Sequence, residues 1–169
     1  MQIRPAVLSD MPRLMELFAR ARRFMVATGN ASQWIDGYPS EELMRREIDA
    51  GHCHVCTTAA GHVVGTFCYI EGDDPNYARI EAGEWPDTSP YATIHRLATS
   101  GEEKGVADAC MRWCMERNIN LRADTHRDNH IMQHILAKYG FVYCGIIYVA
   151  NGTPRLAYQR MAAQNPVTQ

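Results

Sequence analysis

The sequence predicts an α/β domain of α+β character, with a mixed, largely antiparallel central sheet of about seven strands flanked by about four helices. Three observations carry this. Two stretches with helical apolar spacing follow a short opening strand. A hairpin pattern, "HCHVCTTAAGHVVGTFCYIEG", comes next. The second half alternates strand and helix before a closing hairpin. A doubly wound parallel sheet needs alternation throughout, and the early hairpin denies that. The length of 169 residues suggests one domain over 1–169.

The elements follow in order. "QIRPAV" is a short strand ending near Pro5. "LSDMPRLMELFARARRFMVATGN" is a helix that Ser9 or Asp10 can cap, with Pro12 tolerated in the first turn. Met11, Leu14, Met15, Phe18, Ala21 and Met25 form its apolar stripe, and Gly29 and Asn30 stop it. "SEELMRREIDAG" is a second helix capped by Ser40, with Leu43 and Ile48 facing inwards and Met44 a further candidate. The hairpin strands cover about 52–58 and 62–71. A long Pro- and Gly-punctuated connection runs from Gly72 to Pro90, a length usual for functional or mobile loops. "YATIHRLATS" is a strand, and a helix follows to about Arg117. "INLRADT" is a strand and "NHIMQHILAKYG" a helix. "FVYCGIIYV" and "PRLAYQRM" form the last hairpin around "ANGT".

Composition narrows the function. Hydrophobic residues make up 46% and charged residues 21%, an ordinary globular balance. A net charge of −2 gives no field that gathers nucleic acid or anionic membrane. No apolar run approaches a membrane span, and "MQIRPAVLSDM" lacks a signal-peptide core, so a cytoplasmic protein is expected. Six cysteines without that signal argue for free thiols. Cys53 and Cys56 form a C-x-x-C, but on a strand they point to opposite faces. His126, His130 and His134 are spaced by four, with no further ligand at motif spacing, so no metal is expected.

The stretch "TSGEEKGVA" at 99–107 admits two readings. Ser100 with Glu103 fits a capping box. Gly101 and Gly105 before a helix fit a backbone cradle for phosphate, with Lys104 suited to the same anion. A glycine in an early helical turn costs about 1 kcal/mol against alanine, which is easier to understand where no side chain is tolerated.

"ATIHRLATSGEEKGVADACMRWC", followed by "ADTHRDNHIMQHILAKYGFVYCGI", resembles the GNAT superfamily of N-acetyltransferases, and the element order extends the resemblance along nearly the whole chain. The resemblance implies acetyl-CoA as co-substrate and an amine of a small molecule or peptide as acceptor. In the family's pyrophosphate turn the matching positions are Glu102, Gly105 and Ala107; Glu102 stands where a cation or amide is usual. Its carboxylate is expected to face solvent, leaving Lys104 and the backbone from Gly105 through Val106 to Ala107 for the phosphates. Leu97, Ala98 and Thr99 would pair with the pantetheine amides as an added strand does. Asn129 matches the asparagine that meets the pantetheine arm, and it also suits a helix N-cap. Lys138 joins the cofactor set through "KYGF". Dimers are common among the proteins it resembles.

Acetyl transfer needs a neutral amine, donors for an oxyanion and a departing thiolate. The usual family tyrosine is replaced by Leu136. Tyr139 and Tyr143 are substitutes as acid, though each is more readily read as packing. Glu71 and His95 are the base candidates, with His95 also readable as a satisfied core histidine, and Glu81 and Glu84 follow. Trp34, Asp36 and Tyr38 in "QWIDGYP" suit a cationic, partly apolar acceptor, and Trp85 of the long loop would wall the same cleft; the alternative is that Trp34 and Trp85 simply pin their loops to the core. The missing tyrosine keeps open a non-catalytic acyl-CoA-binding or regulatory protein of the same fold.

Overall fold

A computed structural model describes residues 1–163. The elements are β1 (Gln2–Pro5), a 3-10 turn (Leu8–Asp10), α1 (Met11–Ala27), α2 (Glu41–Asp49), β2 (Cys53–Thr57), β3 (Val63–Glu71), a second 3-10 turn (Pro75–Tyr77), β4 (Tyr91–Thr99), α3 (Val106–Met115), β5 (Asn120–Thr125), α4 (His130–Lys138), β6 (Val142–Tyr148) and β7 (Pro154–Arg160). The seven strands form one sheet in the order β1-β2-β3-β4-β5-β7-β6. All pairs are antiparallel except β4–β5, which α3 connects.

Two layers of helix cover the sheet. On one face Met11, Leu14, Phe18 and Met44 of α1 and α2 pack on Cys53, Val55, Cys68 and Ala98. On the other, Val106, Cys110, Met111, Cys114 and Leu136 of α3 and α4 pack on Cys56, Phe67, Ile94 and Leu121. Cys53 and Cys56 therefore lie on opposite faces, as strand alternation requires. All six cysteines are free and buried. Among the described residues no cluster of His, Cys, Asp or Glu could hold a metal ion, and no helix is long and apolar enough to cross a membrane.

Three local details differ from the sequence expectation. Asp10 lies at the start of α1 without capping it by its side chain, because its carboxylate binds Arg4 at 2.7 Å and the Val7 N–H at 2.9 Å. Leu17 is buried beside the expected stripe, because the face of α1 against the sheet is wider than a narrow seam. In α2 only Met44 is fully buried, while Leu43 and Ile48 sit at the margin. Ser40 caps α2 as expected, accepting the Leu43 N–H at 3.1 Å.

Candidate active site

The site is built where β4 and β5 part. They pair only at Tyr91–Thr93 against Asn120–Arg122, yet β4 continues to Thr99 and β5 to Thr125. Beyond Thr93 the edge of β4 facing β5 has no strand partner. A bulge accompanies the parting. His95 lies opposite Cys68 and Ala98 opposite Thr66, so Arg96 and Leu97 together face Phe67. Arg96 has φ +56°, a left-handed conformation that costs a non-glycine residue of order 1 kcal/mol. Its side chain is tied down on the α2 side: Nε donates to Tyr38 Oη at 2.8 Å, and Nη1 to Glu47 Oε1 at 3.1 Å. His95 and Arg96, neighbours in sequence, consequently line the same cleft.

A first cleft of about 220 Å³ runs between α1, the end of β4 and the N-termini of α3 and α4. Leu97, Ala98, Thr99, Gly101, Ala107 and Asn129 line it, with Arg20 of α1 opposite. The turn resolves the two readings of "TSGEEKGVA". Ser100 does not cap a helix; it is buried, its N–H donates to the Val64 carbonyl at 2.8 Å, and its Oγ accepts the Glu102 N–H at 3.1 Å. The N-cap of α3 is Gly105, at φ +78°, so glycine is needed there for conformation. An added Cβ at Gly105 would come no closer than 3.9 Å to another residue, at the Met1 methyl, so crowding is not the reason. Val106 turns its side chain into the core, where a Cβ on Gly65 would overlap it, and offers only backbone outwards. Among the described residues, the N–H groups of Glu103, Lys104 and Gly105 find no acceptor. Glu102 is exposed and accepts from Arg13 Nη2 at 3.0 Å, so its carboxylate is engaged outside the cleft. Lys104 is exposed and lines neither cleft.

A second, larger cleft of about 710 Å³ opens on the α1–α2 side. Met25, Leu97, Asn129 and Met132 line both clefts, which makes the two continuous. Trp34 and Tyr38 supply an aromatic wall, with Trp34 set edge-on to Phe18 at 5.8 Å and to Tyr38 at 6.1 Å. His95 Nε2 lies 2.8 Å from Asp74 Oδ2. Asp74 also accepts the Asn76 N–H at 2.8 Å. Burial works against the charge on Asp74, but the bonds from His95 and Asn76 outweigh it and hold the carboxyl below its ordinary range. Asp124 accepts the buried Tyr77 hydroxyl at 2.7 Å. Burial, and then that carboxylate, raise the Tyr77 phenol well above its usual value. Asp36, Glu47, Asp73, Asp74 and Asp124 line the cleft against Arg96 and Arg155, so its balance is acidic.

Asn129 serves two structural partners at the junction. Its Oδ1 caps α4 through the Met132 N–H at 3.1 Å, and its Nδ2 donates to Gln33 Oε1 at 2.9 Å. Gln33 Oε1 also accepts from Asn30 at 2.8 Å and from Thr125 at 3.4 Å.

Besides Glu102 and Lys104, five further expected site residues lie outside both clefts. Tyr139 and Lys138 turn to α3, where both meet the Asp108 carboxylate, Lys138 at 2.8 Å. Tyr143 sits exposed on β6 against Tyr158, at 5.9 Å between rings. Glu71 follows Ile70, which lines the second cleft, and alternation turns it to the other face beside Tyr69. Trp85 pins the long loop: its Nε1 donates to the Tyr77 carbonyl at 2.9 Å, and the Arg122 guanidinium lies 3.9 Å from its ring. Leu136 is fully buried in the core. Sequence reading missed Arg20, Gln33, Asp74 and Arg155, which distant elements bring to the clefts. Only Asp74, an acid opening the Pro-punctuated loop after β3, carried a local signal.

No family model and no curated protein sequence matches the chain. Solved structures do. An acetyltransferase of the GNAT family from Streptococcus agalactiae 2603 is 32% identical, with 96% of each chain covered and a TM-score of 0.86. An acetyltransferase of the GNAT family from Listeria monocytogenes 4b F2365 is 19% identical over 94% of this chain and 93% of that one, with a TM-score of 0.69. A GNAT superfamily phosphinothricin acetyltransferase from Sinorhizobium meliloti, in complex with AcCoA, is 16% identical over 99% of this chain and 91% of its own, with a TM-score of 0.63. The last two likenesses are of fold alone.

Proposed function

The chain belongs to the GNAT family of acetyltransferases, and on that premise we propose that it transfers the acetyl group of acetyl-CoA to a primary amine of a small molecule or peptide by direct attack in a ternary complex. The observation that carries the reading is the seam left where β4 and β5 part, which joins a wide acidic cleft to a narrow one that reaches Gly101 and Ala107, on either side of the unpaired N–H groups of Glu103–Gly105. An AcCoA complex within the same fold supports the choice of cofactor.

In this reading the pantetheine amides lie along the free edge of β4 at Leu97–Thr99, as an added strand would. The pyrophosphate meets the N–H groups of Glu103–Gly105 at the positive end of α3. Arg20 supplies the cation that Glu102 does not. It lines the cleft, an added Cβ at Gly101 would overlap its guanidinium, and among the described residues it makes no ion pair. The acidic walls draw an ammonium group, and His95, with Nε2–H directed at Asp74, takes its proton through Nδ1 or a water. Free N–H groups of β4 serve the developing oxyanion. With Leu136 buried, the thiolate leaves without a side-chain acid, which a thiol pKa of about 8.5 permits.

Thiol release from acetyl-CoA across a panel of amines, polyamines, amino acids and peptides tests the reading. Acceptor-dependent release with an equal yield of acetylated amine is expected. Tight acetyl-CoA binding with no turnover on any acceptor would mean a non-catalytic acyl-CoA-binding protein instead.

A further inference from the structure

The second cleft contains two guanidinium groups that are held differently. Arg96 is paired with Glu47 and Tyr38. Arg155, on β7, is only 6% exposed, yet among the described residues no carboxylate lies within ion-pair reach of it. Its contacts are neutral: Nη1 donates to Thr153 Oγ at 3.0 Å and to the Pro154 carbonyl at 3.1 Å, and Nη2 donates to the Gln33 carbonyl at 3.1 Å. A guanidinium has five N–H donors, so Nε–H and one Nη2 hydrogen are left over. The nearby acid that offsets part of its desolvation, Asp124, already takes the Tyr77 hydroxyl. A buried cation with spare donors is costly unless an anion completes it. Two spare donors suit an oxyanion, carboxylate geometry above all.

We infer that the acceptor is a zwitterionic small molecule, its amine drawn to the acidic side of the cleft around Asp74 and its oxyanion, as in an α-amino acid, paired with Arg155. This rests on the acceptor-cleft reading above and narrows it. Trp34, Ile35, Ile70 and Val149 leave apolar wall between the charged ends, which suits an apolar side chain. The cleft volume of about 710 Å³ falls within the usual range for small-molecule sites.

The test is calorimetric binding to the CoA-saturated protein, run beside acetylation rates. The ligands are apolar L- and D-amino acids, their carboxamides and their aminophosphonate analogues. Wild-type protein is expected to bind the acid, carboxylate or phosphonate, at least about tenfold more tightly than the amide, the scale of one charge-assisted contact. Arg155→Gln is expected to erase that preference and leave amide affinity within about twofold, and Arg155→Lys to restore part of it. A purely structural role for Arg155 would weaken acid and amide alike. Because the preference is measured within each variant, a general loss of stability does not mimic the expected result. Equal affinity for acid and amide in the wild type, a preference that survives Arg155→Gln, or no binding of any of these ligands overturns the inference. Acetylation of amines without an acid preference overturns it and leaves the proposed function standing. Arg155-dependent binding without any acetylation does the reverse.

Discussion

Replacing Arg20 by alanine separates the phosphate-binding proposal from the fold. Arg20 is exposed, and among the described residues it has no ion pair, so its loss should change stability by no more than about 0.5 kcal/mol. A charge-assisted hydrogen bond contributes about 1.5–3 kcal/mol, and exposure to solvent and salt argues for the lower end here. At about 1.4 kcal/mol per tenfold, coenzyme A should bind roughly tenfold more weakly. The assay is calorimetry with coenzyme A and with pantetheine, which lacks the phosphates. Pantetheine affinity should not change, and the gap between wild type and variant should narrow as salt rises. Unchanged coenzyme A affinity, or an equal loss for pantetheine, would refute the role given to Arg20.

Three further expectations concern the second cleft and its surroundings. His95→Gln should lower turnover about 10²–10⁴-fold with little change in coenzyme A affinity, checked by steady-state rates beside calorimetry. Because the folded Asp74 carboxyl is held below its ordinary range, its stabilisation is present above a pH of about 4 and is lost as pH falls through the lowered value. Asp74→Asn should therefore flatten the acid limb of a melting-temperature profile; a limb as steep as wild type would count against that bond. Tyr139→Phe removes the contact with Asp108, outside both clefts, so turnover should stay within about twofold of wild type, and a large drop would restore Tyr139 as a catalytic acid.

The order of elements was legible because each apolar pattern is local: the period-2 runs of the hairpins and the stripe of α1 report their own burial. The end of β4 at Thr99 was legible too, and so was the departure at Glu102. The parting of β4 from β5 was not. It depends on a left-handed Arg96 inside a strand, held by Tyr38 and Glu47 from other elements, and no propensity announces that. Ser100 misled for a related reason, since a serine can close a turn with its own neighbour as readily as cap a helix, and only Gly105 fixes where α3 begins. Trp85 and Tyr139 carried residue types that suit a site, but direction decides, and both point to anchors outside the clefts. Arg20 and Arg155 lie far from the cofactor motif in sequence, so only the folded chain shows them lining the clefts.

The most direct measurement is amide hydrogen exchange with and without acetyl-CoA. If the cofactor lies in the opened seam as an added strand, amides in 96–99 and in the turn 101–107 should exchange more slowly when it is bound. Those of β1 and β2, across the sheet, should not change. Protection at β1 and β2 with none at β4 and the turn would contradict the account.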